Sequence, residues 1–287
     1  MVPPYRPSFA QREGLEAVPP QLQPGTLSKQ ARASLWHVIY QSMEASIRSG
    51  TMSSYFIEPW STILRDWLVD TQHGMSNDFE SGSHEHEQRL KALFTKGRYH
   101  EVLGFVEYVL HHSDCPGKVK QGVASSLINT RTAYTIVDGD TICPISGDVE
   151  AAVLARAFED LAQTPFEGAK SHLKAAAGFL TVGKFADSVR ESVHSVEATA
   201  RLLAPTATSG LGPALTELEK MHAIHGAMKA GFGSLYGYAS NEKGIRHPLL
   251  EEGSATVDQY DALFMMGSCA SFVSYLIGKG RSVGLLK

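Results

Sequence analysis

The sequence predicts a mostly α fold of two helical domains with one small β-hairpin near their boundary. Three observations carry this. Apolar residues recur at helical spacing along most of the chain, most clearly at Val189, Val193, Val196, Ala200 and Leu203. One stretch departs from that period. Tyr134 to Ile145 is rich in β-branched residues on both sides of Asp138-Gly139, which is a hairpin signal. A composition break at Pro144 to Asp148 follows, and it sets the expected domains at 1–148 and 149–287.

The elements follow in order. Residues 1–27 hold Pro3, Pro4, Pro7, Pro19, Pro20 and Pro24, and read as an extended arm laid on the first domain. Ser28 is a suitable N-cap for a helix over 29–48 that stops at Gly50, with Leu35, Ile39 and Met43 on its apolar face. Further helices are expected over 56–69, 85–95, 100–112 and 118–129, with a polar loop at 71–82. In the second half Asp148 is placed as a cap, and helices are expected over 168–180, 184–203, 213–222, 226–238 and 256–277. Asp258 falls in the first turn of the last one.

Composition limits the function. The 287 residues are 43% hydrophobic and 20% charged, with a net charge of −4. Residues 1–150 hold 13 Lys+Arg against 17 Asp+Glu, and the remainder 13 against 13, so neither half is a basic nucleic-acid platform. Any RNA contact must come from a local cluster. Cys115, Cys143 and Cys269 form no pairing motif, and no basic region followed by an apolar run opens the chain; a reducing cytoplasm is the expected location. Ala262 to Gly278 carries no charge, but serines and glycines interrupt it. It reads as a buried central helix, not a membrane span. Gly267, Ser268, Ala270 and Ser271 on that helix permit close helix approach and predict a homodimer.

The residues best suited to chemistry are Arg246 and His247. Arginine offers a permanent cation shaped for phosphate oxygens, and histidine a proton donor and acceptor near neutral pH. Gly244 lets the backbone bend before them, and Pro248 biases His247 away from helical geometry. A second set lies on the 184–203 helix, where Arg190, His194, Glu197 and Arg201 share a face beside the core stripe. That face reads either as solvated, with Glu197 and Arg201 as an i,i+4 pair, or as the border of a cleft in which Glu197 orients Arg246. Ser83-His84-Glu85-His86-Glu87 lacks the further ligands of a metal set and reads as a surface loop. His111-His112 is read as structural, at a helix end. No phosphate-cradling loop, nucleophile elbow or dinucleotide fingerprint is present, so no metal or cofactor is assigned.

Several stretches resemble abortive-infection proteins of the AbiJ type. In the second half these are Phe166 to Leu173, Asp187 to Ala198, Leu235 to His247 and Asp261 to Met265; in the first half they are Phe9 to Leu15 and Leu27 to Trp36. The resemblance implies an N-terminal AbiJ-like domain and a C-terminal helical bundle of the HEPN class. It further implies a role in antiphage defence, answering a phage-derived trigger or a defence partner protein, and metal-independent RNA cleavage at a composite site across a dimer. Arg246 and His247 would then be catalytic, with Glu197, Arg190, His194 and Asn241 in support. Such domains carry Arg, four to six residues, then His. Here Glu251 and Glu252 stand where that His would fall after Arg246, and only three residues separate Arg190 from His194. Either the adjacent Arg246–His247 pair replaces the usual motif, or the domain is a non-catalytic module that binds RNA or protein.

Overall fold

The computed structural model describes residues 5–50, 53–163, 165–207, 210–241 and 257–286. It is mostly helical. Among the described residues, twelve α-helices accompany two small two-stranded antiparallel sheets. The chain divides into two compact units, Met1–Ile142 and Cys143–Lys287.

The N-terminal unit begins with the arm, which contains only the short helix α1 (Phe9–Arg12). Its extended part is pinned by backbone hydrogen bonding. Leu22 N donates to Arg131 O at 2.9 Å, Gly25 N donates to the Tyr134 hydroxyl at 2.8 Å, and the Gln21 amide donates to Thr132 O. Helix α2 (Lys29–Glu44) is capped by the Ser28 side chain and buries Ala31, Leu35, Ile39 and Met43. It ends four residues before the expected stop. Ile47 pairs with Phe56, forming the hairpin β1 (Ile47–Ser49) and β2 (Ser54–Phe56) where the sequence reads as helix. The next helix therefore starts late, as α3 (Trp60–Gln72), behind Pro59 at its N-cap. Three more helices follow: α4 (Ser83–Lys96), α5 (Tyr99–His111) and α6 (Gly117–Asn129).

The core of this unit gathers apolar residues from α2 through α6 and is closed by Tyr134 and Ile142 of the second hairpin. Each large side chain buried there contributes about 1.5–3 kcal/mol relative to exposure. Arg32 ties α2 to the end of α4, donating to Phe94 O at 3.1 Å and Gly97 O at 2.8 Å. The expected hairpin is present as β3 (Tyr134–Val137) and β4 (Thr141–Pro144). Asp138 and Gly139 between them both take positive φ, 51° and 80°, as its tight turn requires.

The C-terminal unit holds α7 (Asp148–Leu161), α8 (Glu167–Thr181), α9 (Phe185–Leu203), α10 (Leu211–Lys220), α11 (Gly226–Asn241) and α12 (Gln259–Ser282). Gly147, not Asp148, is the N-cap of α7, and Asp148 stands in the first turn where its charge favours the helix dipole. Asp258 caps α12, its carboxylate accepting from Tyr260 N and Asp261 N, with Asp261 reaching back in a capping box. Helix α9 is the central element, packed by α8, α10, α11 and α12. Helix α12 is long and apolar enough to cross a membrane by length and composition, and 56% of its most apolar window is buried within the protein. Of its small residues, Ser271 is exposed and others meet neighbours within the chain. Gly267 lies against Glu150 of α7 and Gly280 against Leu203 of α9, and Ala270 is fully buried.

A candidate acid–base site on helices α8 and α9

Helix α9 is buried on two adjacent stripes. The expected one, Val189, Val193, Val196, Ala200 and Leu203, is apolar and buried throughout. Beside it run Ser188, Ser192, Ser195 and Thr199, each fully buried. Three of the four hydroxyls donate to nearby carbonyls, while Ser188 Oγ is buried with no hydrogen-bond partner among the described residues. Ser192 donates to Ser188 O at 2.8 Å, Thr199 to Ser195 O at 2.9 Å, and Ser195 crosses to Ala169 O of α8 at 2.8 Å. Bonding spares Ser192, Ser195 and Thr199 the desolvation penalty of an unpaired group, which the Ser188 hydroxyl still carries. Helix α8 answers with Ala169, Leu173, Ala176 and Ala177, also buried. Two faces of small residues let the antiparallel helices approach closely. The chain reverses between them at Gly183, whose φ of 75° is in the left-handed region.

This close approach fixes the site. His172 lies at the rim of the α8 face, opposite Glu191 and His194, which stand one turn apart on α9. His172 Nδ1 is 2.7 Å from Glu191 Oε2, and His194 Nδ1 is 3.6 Å from Glu191 Oε1. The two imidazole rings meet edge to face with centroids 5.3 Å apart. The Glu191 side chain is only 16% exposed, whereas His172 and His194 are 41% and 35% exposed, so the carboxylate is enclosed and the rings reach solvent. Arg190 flanks the group, held by Asp187 at 2.6 Å and by Glu191 at 3.7 Å. Burial pushes His194 below the ordinary histidine value. The carboxylates of Glu191 and Glu197 oppose that shift, while His172 and Arg190 add to it.

One shared carboxylate thus faces the Nδ1 edge of two imidazoles. Each ring then has its Nε2 on the edge away from Glu191; the hydrogen bond to Glu191 fixes the tautomer of His172, whereas His194 Nδ1, at 3.6 Å, stands beyond hydrogen-bond reach of the carboxylate. Of the residues singled out from sequence, the structure brings Arg190 and His194 into this group. Glu197 lies one turn further along α9 and pairs with Arg201 at 3.9 Å, as the solvated-face reading expects. Arg246 and His247 lie outside the described residues, as does the Asn241 side chain.

His172 and Glu191 were missed as site residues. The Glu191-x-x-His194 spacing is readable within one helix; the partner from α8 depends on the register between two helices, which no local pattern encodes. The His84–His86 segment forms the first turns of α4 rather than a surface loop. His86 packs against Phe79 and Phe56 and its Nε2 contacts Glu80 O at 2.6 Å, an anchor for the preceding loop. His112, at the end of α5, pairs with Asp66 at 3.3 Å.

The class defined by fold and site is a mostly α protein with an imidazole–carboxylate–imidazole group on a helical hairpin. Comparison with protein-family models, curated proteins and solved structures gives no match to this chain.

Proposed function

We propose that this chain is an RNA-cleaving effector of antiphage defence that works without a metal, as a homodimer, with proton transfer carried by His172 and His194. The AbiJ-type resemblance supports the defence role and the RNA substrate. The observation that carries the chemistry is the pair of solvent-reaching imidazoles sharing the enclosed Glu191 carboxylate. His194, which burial favours as the neutral base, takes the proton of a ribose 2′-hydroxyl at Nε2. The resulting oxygen attacks the adjacent phosphorus. The bond to the 5′-oxygen breaks, and His172 donates a proton to that leaving oxygen. The products are a 2′,3′-cyclic phosphate and a free 5′-hydroxyl, and no water or redox partner is consumed. Arg246 and His247, the catalytic pair implied by the resemblance, lie outside the described residues and are tested beside the two histidines of the site.

A second reading, a non-catalytic partner-binding subunit, is favoured by one observation. Arg190 and Arg201 on this face already pair with Asp187 and Glu197. The test is cleavage of total RNA in chelator by wild type and by the His172→Ala, His194→Ala, Arg246→Ala and His247→Ala variants. Loss of a proton-transfer group should lower the rate about a hundredfold or more. Wild type that binds RNA and never cuts it, or histidine variants that cut at the wild-type rate, would overturn the proposal.

A further inference from the structure

His172, Glu191 and His194 also have the composition and spacing of a metal site. We propose that they bind one zinc-class divalent transition-metal ion, and that the bound ion switches the acid–base site off. The inhibitory half rests on the function proposed above; the binding half does not.

The donor set is two imidazoles and one carboxylate, which suits zinc and its neighbours and leaves a fourth position open. The geometry agrees. Zinc–ligand bonds of about 2.0–2.1 Å in a tetrahedron place ligand atoms roughly 3.3 Å apart. Here His172 Nδ1 is 2.7 Å from Glu191 Oε2 and His194 Nδ1 is 3.6 Å from Glu191 Oε1, and one ligand atom from each of the three residues can be chosen so that all lie within 4.8 Å of one another. Small side-chain rotations suffice to admit an ion. The ligands stand on two helices locked by the buried Ser195–Ala169 contact, so their backbones are already in place. Arg190 next to Glu191 is held on its other side by Asp187, which offsets its charge near a cation.

Inhibition follows from imidazole chemistry. In both histidines the nitrogen facing the shared position is Nδ1. An imidazole with a metal on Nδ1 keeps its proton on Nε2 and has no lone pair left to accept another. Metal at this site therefore removes the general base, and it also takes Glu191 away from its role of orienting His172.

The experiment is a cobalt(II) titration of the metal-free full-length protein, read by visible absorption and followed by displacement with zinc(II). The expected result is one cobalt per chain with bands of low-coordinate geometry, abolished by zinc. His172→Ala, Glu191→Ala and His194→Ala should each weaken binding tenfold or more while melting as folded proteins, and His84→Ala in the N-terminal unit should leave it unchanged. No saturable binding, or binding that survives all three substitutions, would overturn the site. The same samples are assayed for RNA cleavage with chelator and with zinc. Cleavage in chelator that zinc leaves untouched in a protein that binds it would overturn the switch. Metal binding in a protein that never cleaves in chelator would instead sink the ribonuclease reading and leave the metal site standing.

Discussion

Substituting Ser195 tests the packing that creates the site. Its hydroxyl is fully buried and donates to Ala169 O across the α8–α9 contact. Ser195→Ala removes one hydrogen bond, and Ala169 O retains its helical donor, so no acceptor is orphaned. The expected cost is about 0.5–1.5 kcal/mol, which lowers the melting midpoint by roughly 2–4 °C per kcal/mol for a chain of this size class. Ser195→Leu differs in kind. It inserts several carbons where two helices touch, costing about 1–3 kcal/mol through overpacking and forcing α8 away from α9. That separation acts where His172 meets Glu191. Thermal melting together with cobalt binding and RNA cleavage distinguishes the two variants. Ser195→Ala should keep both functions, and Ser195→Leu should lose both while remaining folded. A folded Ser195→Leu protein with wild-type metal affinity and cleavage would show that the site does not depend on this close approach.

Three further outcomes are expected. Burial holds His194 below its ordinary histidine value, against Glu191 and Glu197 and with His172 and Arg190. The unfolded chain therefore takes up this proton first as pH falls, so His194 makes stability decline below about pH 6.5 until the lower folded value is reached; in His194→Asn, denaturant midpoints measured across pH should fall less steeply, and an unchanged slope would refute the assignment. Cys143 and Cys269 are buried, burial pushing the Cys269 thiol up to about 12, while Cys115 is partly exposed; a thiol reagent at pH 8 should label Cys115 alone until denaturant is added, and equal labelling of all three in the folded protein would contradict the packing. Asp258→Ala removes the cap of α12 and should cost about 1 kcal/mol in a denaturant melt, where an unchanged midpoint would count against the capping box.

What was legible in the sequence was what local periodicity encodes. Helix α9 could be read because its 4-3-4-3 apolar stripe has one solution, and the β3–β4 hairpin because Asp138-Gly139 suits a turn with positive φ. The β1–β2 hairpin was not legible. Its strands are three residues each, too short for a two-residue period to show, and Ile47 and Phe56 fit a helical pattern equally well. The candidate site was half legible. Arg190 and His194 stood out as polar residues on one helical face. Glu191 looked like one more surface charge, and His172 sits in a neighbouring helix whose register against α9 is set by buried serines and alanines. Of the small residues of α12 that suggest a contact between copies, Gly267 meets Glu150 of the same chain and Ala270 is buried within it, while Ser271 is exposed. Small residues permit close approach without naming the partner.

The proposed cleavage of RNA by two imidazoles through the ribose 2′-hydroxyl is read from the mass of the upstream product when purified wild type cuts a short RNA in chelator. The expected product is a 2′,3′-cyclic phosphate, absent with His172→Ala or His194→Ala and absent when the ribose at the cut carries a 2′-O-methyl group. A 3′-hydroxyl upstream with a 5′-phosphate downstream, or cleavage that ignores the 2′ substituent, would contradict it.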